Sequence, residues 1–414
     1  LGGDNNTVRP SASNSITSGT NNTASGPGSI VAGWYNTNSA THSLVVGTSN
    51  NVGGTNNIVG GFGHANNDNA INSLLVGSYN SIDGHDSVAL GKNNTIKGNN
   101  ALVGGTGAKV QGNNAIAFGD TAKATYDDAY AIGRKAEATA QNTVAIGNNA
   151  KANNIMGTAI GYNAKAKNDY ATAVGYSSTG SGNQSSAFGF NAEATAMNTT
   201  AVGSYANASG AYSTALGFKT TASNEDAVAL GNYSTSAGKS AFAAGTLANA
   251  AEKDSLAIGH SATTTKENGI AIGTNAMAAT DNSIALGAKS VTDTAISTSS
   301  GVIGGRTYSF AGGNAVGTLS IGDSGAERTI TNVAAGRVSA TSTDAVNGSQ
   351  LHAIKDVVDN HENRITTIEG DINTLNNRII NGGANSLNEA KAYTDQQVSS
   401  VAAASAALAG LHPL

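Results

Sequence analysis

A glycine that returns at a fixed interval constrains this chain more than any other feature. It stands at positions 19, 33, 47, 61, 77, 91, 105, 119, 133, 147 and onward to 287, and the sequence around it returns with it, most clearly as Thr143-Val144-Ala145-Ile146-Gly147. Every interval is 14 residues except the one of 16 between Gly61 and Gly77. A constant step over about twenty copies describes one unit stacked on itself, each burying its apolar face only against its neighbours. Fourteen residues are too few for helical or leucine-rich repeats. They suffice for one coil of two short strands and two turns, so the spacing predicts an all-β parallel solenoid. At a strand separation of ~4.7–4.9 Å, twenty coils stack to a length on the order of 95 Å.

Within the coil, the residue before the glycine is large and apolar in fifteen of twenty copies, among them Leu90, Phe118, Ile132, Ile146 and Val174. Two residues earlier, on the same strand face, stand Leu74, Val88, Val144 and Ile284. These two rows are expected to fill the coil, opposite small residues of the second strand such as Ala122/Ala124, Ala136/Ala138 and Ala150/Ala152. Between the small residues, Lys109, Lys123, Glu137, Lys151 and Lys165 point outward, a row of mixed sign that reads as solvation rather than a docking track. The repeating glycine supplies φ > 0 at a corner. Five residues before it, Asn or Asp stands in thirteen coils, including Asn72, Asn142 and Asn282, placed to bond the turn and to stack as an amide ladder.

One position does not suit a single chain. Between the two large rows Ala recurs in fourteen coils, among them Ala131, Ala145, Ala159, Ala173 and Ala201. A strand apolar at consecutive positions is normally covered on both faces. This Ala row is therefore expected to form the seam of a cyclic homo-oligomer.

The 414 residues contain no Cys, which excludes a disulfide scaffold, a Cys-ligated metal and a cysteine nucleophile. Net charge is −5, only 12% of residues are charged, and no basic run reaches four residues, which argues against nucleic acid as a partner. No apolar stretch approaches a membrane span, the nearest being the Ala-rich Val401 to Leu411. The start at Leu1, without a signal peptide, reads as a mature or trimmed chain.

After Val291 the 14-residue phase is lost, and residues 293–350 read as an irregular Gly-rich segment and neck following the head of residues 1–292. A heptad then runs over 351–380, with Leu351, Val358, Ile365, Ile372 and Ile379 at one core position and Ile354, His361, Ile368 and Leu375 at the other. Val and Ile at the first position with Ile at the second favour three strands over two. Ile365, Ile368 and Ile372 are thus expected at a trimer interface. The helix is expected to break at Asn381-Gly382-Gly383, leaving 381–414 as a linker and second helix.

These segments carry a resemblance. Asn142-Thr143-Val144-Ala145-Ile146-Gly147, Ile330-Thr331-Asn332-Val333-Ala334-Ala335-Gly336 and Thr343-Asp344-Ala345-Val346-Asn347-Gly348-Ser349-Gln350-Leu351 look like the head and neck of the YadA-like trimeric autotransporter adhesins of Gram-negative bacteria. Ala390-Lys391-Ala392-Tyr393-Thr394-Asp395 and the terminal Ala404 to Leu414 resemble the approach to that family's membrane anchor. The resemblance implies a left-handed parallel β-roll head, a neck where chains cross over, a trimeric coiled-coil stalk and a place on the outer membrane as an extracellular passenger. The anchor itself would follow Leu414, so contact with a membrane is expected only through a segment this chain lacks.

The remaining motifs are weaker. Gly60-Gly61-Phe62-Gly63-His64 lacks the Lys-Ser/Thr of a phosphate cradle and the Asp of a calcium repeat. The seven histidines are scattered, and His42, His64 and His85 read as turn or surface residues. His361, inside the heptad core, reads as a polar register-setting layer, with an axial ion site as the sharper alternative. Nothing calls for a catalytic residue, metal or cofactor. Aromatics follow the repeat glycine as Trp34, Phe62, Tyr162, Tyr176, Phe190 and Phe218, and such a stripe suits extended matrix chains of collagen, fibronectin or laminin. The expected function is a homotrimeric adhesin that binds matrix proteins or other bacterial cells, in autoaggregation and biofilm. The alternatives are a spacer for another tip, a β-helix polysaccharide-active enzyme, whose clustered carboxylates are missing, and an ice-binding solenoid, whose Thr-x-Thr rank is missing.

Overall fold

The computed structural model describes residues 2–411, so His412-Pro413-Leu414 of the terminal motif lie outside the described residues. Coil follows coil as two parallel strands, for example Val144–Ile146 and Lys151–Ala152, then Thr158–Ile160 and Lys165–Ala166. Ala145 lies opposite Ala159 and Lys151 opposite Lys165, so the 14-residue period is the strand register itself. The first strands of successive coils make one parallel sheet and the second strands another. The chain is a parallel β-solenoid of about twenty coils.

The corners explain the turn residues. Each coil places two residues besides its glycine in the left-handed region, as at Asn142 (φ 56°) and Asn149 (φ 60°) around Gly147 (φ 130°). Asn and Asp tolerate that conformation, whereas a β-branched side chain does not. Thr121 is the one β-branched residue so placed among the described residues. At Gly147 a Cβ would stand 2.4 Å from the carbonyl oxygen of Gly161, so the next coil sits too close for any side chain.

The inside of the coil is not filled as the sequence suggests. Ala131, Ala145, Ala159, Ala173 and Ala201 are fully buried within the chain, facing Ala136/Ala138, Ala150/Ala152 and their equivalents. The large rows point the other way: Phe118, Ile132, Ile146, Ile160 and Leu216 are between 36 and 50% exposed. The sheets of these coils lie so close that only small residues meet between them. The Ala row therefore offers no surface for a seam, and its assignment to a trimer interface is corrected.

The first coils are built more generously. Their first strands run five residues, from Ile16–Thr20 to Leu102–Thr106, and three thereafter. Their interior takes Val45, Val52, Leu75, Ile82, Val103 and Val110. It also holds a buried amide ladder. The Asn36 Nδ2 donates to Asn22 Oδ1 and the Asn50 Nδ2 to Asn36 Oδ1, each at 2.9 Å, while each Oδ1 also accepts from the next rung's backbone N–H. His64 takes the next rung, where the 16-residue coil begins. It is 1% exposed, which corrects its reading as a turn or surface residue.

The solenoid also continues beyond residue 292. Leu319–Ser320 pairs parallel with the strand Ile284–Leu286, and the compact solenoid unit takes in Asn314–Arg328. Arg328 donates to the carbonyl oxygens of Ala288 and Ile321 and to the Ser290 hydroxyl, at 3.2 Å for the last. Solenoid ends leave a strand edge unpaired, and this strand with its arginine occupies one.

The second unit contains the antiparallel hairpin Ser300–Ile303 and Arg306–Ser309 and the helix Gly348–Ala409. Asn347 caps the helix and Gln350 completes a capping box. Gln350 reaches back as well: its Nε2 donates to the Gly336 carbonyl at 2.6 Å and its Oε1 accepts from the Gly336 N–H at 3.0 Å. Arg337 donates from Nε and Nη2 to the Asp344 carboxylate at 2.8 and 3.1 Å. The helix runs unbroken for 62 residues through Asn381-Gly382-Gly383, against the expected break. Two glycines cost about 1 kcal/mol each relative to Ala, and the helix carries them within its 62 residues. No described helix is long and apolar enough to cross a membrane.

Candidate adhesive surface

Three of the six aromatics singled out in the sequence meet in consecutive coils. The rings of Tyr162 and Tyr176 stack at 5.0 Å and 11°, and those of Tyr176 and Phe190 at 4.9 Å and 10°. The backbone imposes this geometry: strands in parallel register repeat at ~4.7–4.9 Å, close to a comfortable ring separation. The column continues through Tyr205, Phe218 and Tyr233 with tilted rings, at centroid distances of 5.3, 6.3 and 5.3 Å. Lys219 Nζ lies between 5.4 and 5.9 Å from the rings of Phe218, Tyr233 and Tyr205, within cation–π range. Six successive coils thus form one aromatic track along an exposed corner.

Tyr205 and Tyr233 escaped the sequence reading. They stand two residues after the repeat glycine rather than one, in the left-handed conformation (φ 58° and 57°). Searching both corner positions would have found them. Trp34 and Phe62 do not join the track. Trp34 is 61% exposed many coils away, and Phe62 meets Tyr79 edge-on at 5.0 Å.

The track has no chemistry for bond breaking. Among the described residues no group of three His, Asp or Glu is placed to hold a metal. Ile365, Ile368, Ile372 and His361 stand on one helix with their side chains exposed. A helix with this apolar seam and no covering element is built for partners.

Comparison with known proteins agrees with this architecture. The YadA head domain repeat matches residues 97–122, 127–150, 152–178, 181–206, 208–234, 236–262 and 265–290. The coiled stalk of trimeric autotransporter adhesins matches residues 329–374. Together they take in more than half of the chain. The autotransporter adhesin BtaE of Brucella suis is 56% identical over 69 residues, which span 17% of this chain and 9% of that protein. A C-terminal YadA-like domain from Burkholderia pseudomallei is 45% identical, with a TM-score of 0.25, over 25% of this chain and 50% of that one. The collagen-binding domain of the Yersinia adhesin YadA is 26% identical, with a TM-score of 0.23, over 49% of this chain and 84% of that one. Head repeats followed by coiled stalk are the order of a non-enzymatic cell-surface passenger, and the chain belongs to the YadA-like trimeric autotransporter adhesins.

Proposed function

We propose that this chain, as a homotrimer on the outer membrane, holds extended matrix-protein chains along the aromatic track from Tyr162 to Tyr233. The carrying observation is the column of six rings in consecutive coils, five of them exposed and Phe218 half-buried, which presents a continuous apolar edge rather than a pocket. A linear partner gains one contact per coil, and three identical heads multiply weak contacts by avidity. Collagen is the first probe, because the Yersinia domain is described as collagen-binding. Fibronectin, laminin and self-association between cells are the other arms.

The interface of the head is reassigned in this reading. The outward rows containing Ile132, Ile146 and Ile160 present apolar surface on one sheet, and three copies cover it by packing these rows together. Membrane attachment falls to an anchor segment of the family type.

Tyr162→Ser combined with Tyr176→Ser is expected to reduce adhesion of the full chain to immobilised collagen by about tenfold or more, since base-level apolar and aromatic contacts are worth roughly 0.5–1.5 kcal/mol each and repeat in three chains. Undiminished capture of all three matrix proteins and unchanged cell clumping would remove the track from the function.

A further inference from the structure

Sequence distance hides a concentration of positive charge that the coil register assembles. Residues 92–167 carry nine Lys and Arg against four Asp and Glu, a net +5 in a chain of net −5. The strand register sets Lys109, Lys123, Glu137, Lys151 and Lys165 side by side on the outer face of the second sheet. Lys97 and Lys167 are exposed at positions two residues along from this row. Glu137 is shared by Lys123 at 3.7 Å and Lys151 at 3.0 Å, so that trio keeps one positive charge. Lys109 and Lys165, at the ends, pair with no acid among the described residues. A chain without a basic run in sequence therefore presents one in space.

We propose that this band binds a linear sulfated polysaccharide of the surface to which the bacterium adheres. The row climbs one position per strand, ~4.7–4.9 Å at a step, with two cations on either side of Glu137. An extended glycan with a sulfate on successive sugars presents anions at a comparable step along one line, whereas the phosphates of a duplex wind around its axis. The face carries no interleaved aromatics on which the bases of a single strand would stack. Lysines on flexible stems suit sulfates of variable position, which need point charges rather than a planar fork. The row also lies on the sheet opposite the apolar rows, so trimer packing through those rows leaves it in solvent. This inference rests on the adhesin reading only for where the glycan is found.

The test measures binding of the full chain to immobilised heparin over a series of salt concentrations, beside neutral dextran and duplex DNA. The variant carries Lys109→Gln, Lys123→Gln, Lys151→Gln and Lys165→Gln. A control carries Lys253→Gln, Lys266→Gln and Lys289→Gln, outside the band. Wild type and control are expected to bind heparin with an affinity falling steeply with salt, as counterion release requires. The band variant is expected to lose about tenfold or more and to show a shallower slope, while Arg at the same four positions retains binding. Equal heparin binding by wild type and band variant overturns the proposal, as does equal capture by dextran. Tighter capture of DNA than of heparin assigns the band to nucleic acid instead. Collagen adhesion of the same variants separates the two readings: loss of heparin binding with collagen adhesion intact supports the band, and heparin binding retained with collagen adhesion intact overturns it while leaving the track standing.

Discussion

His64 shows how one side chain can carry the state of a whole region. It replaces Asn in the buried ladder, at the coil that carries the two-residue insertion. Its Nδ1 accepts the Asn80 N–H at 3.2 Å, and its Nε2 lies 3.1 Å from the Gly60 carbonyl oxygen, which it can reach only as a donor. Both contacts hold for the neutral ring with its proton on Nε2, since a charged ring has no acceptor left for Asn80. Burial holds the imidazole below its ordinary range, against the raising effect of the hydrogen bond it donates to the Gly60 carbonyl. A folded-state pKa below the unfolded one means that the unfolded chain binds more protons. The stability linked to His64 is therefore fully present above about pH 6.5 and is lost as pH falls from there toward the depressed folded value. Protection of the amides around Asn50 to Asn94 against hydrogen exchange, taken relative to the intrinsic exchange rate at each pH, should fall at pH 5 compared with pH 7.5, and His64→Asn, which restores the amide rung, should abolish most of that difference. An identical pH response in the variant would place the proton elsewhere.

At the scale of elements, the stalk makes the firmest demand for partners. Ile365, Ile368 and Ile372 are half exposed on the 62-residue helix, and no described residue of the same chain covers them. Ile365→Asp with Ile368→Asp would place unpaired carboxylates in the proposed three-chain core, at a cost of several kcal/mol for each buried unpaired charge. Sedimentation should then show loss of the threefold mass, whereas a retained trimer would remove the heptad from assembly. The heptad was legible because its period is unambiguous, and so was the solenoid, whose glycine spacing is the strand register. The unbroken helix was not. Gly382-Gly383 reads as a stop only when local propensity is taken alone, and continuity depends on turns that extend from Gly348 to Ala409. Nor was the strand Leu319–Ser320 legible: two residues after an irregular excursion carry no period, and only pairing with Ile284 identifies them. The aromatic track was half visible, through its one-residue offset from glycine, and the lysine row was visible at its 14-residue period but read as solvation, because Lys97 and Lys167 join it only through the coil register.

For the whole molecule, the decisive question is which side of the first strand is inside. Size favours Ile146 in the core and Ala145 outside, because large apolar residues are usually the buried ones. Alternation alone cannot choose, since both sets are apolar. The choice is made by the opposing sheet, whose Ala150 and Ala152 approach so closely that Ala145 fits where Ile146 does not. Stacked over a dozen coils, the consequence is an assembly with a thin interior in each chain and its bulk apolar surface on one outer face. The single chain thereby uses its small residues for its own interior and leaves the large ones exposed on one outer face, the surface assigned above to the proposed seam. Two variants separate this arrangement from its inverse. Ala145→Leu overpacks the interior, which costs about 1–3 kcal/mol, and should lower the melting temperature of the head even in monomeric chains. Ile146→Asp with Ile160→Asp leaves each interior intact but sets carboxylates in the proposed seam. It should leave the stalk trimeric while making the head protease-sensitive, with cleavage near those coils. A head that resists protease in the Ile pair, together with a normal melt for Ala145→Leu, would put the seam back on the small residues.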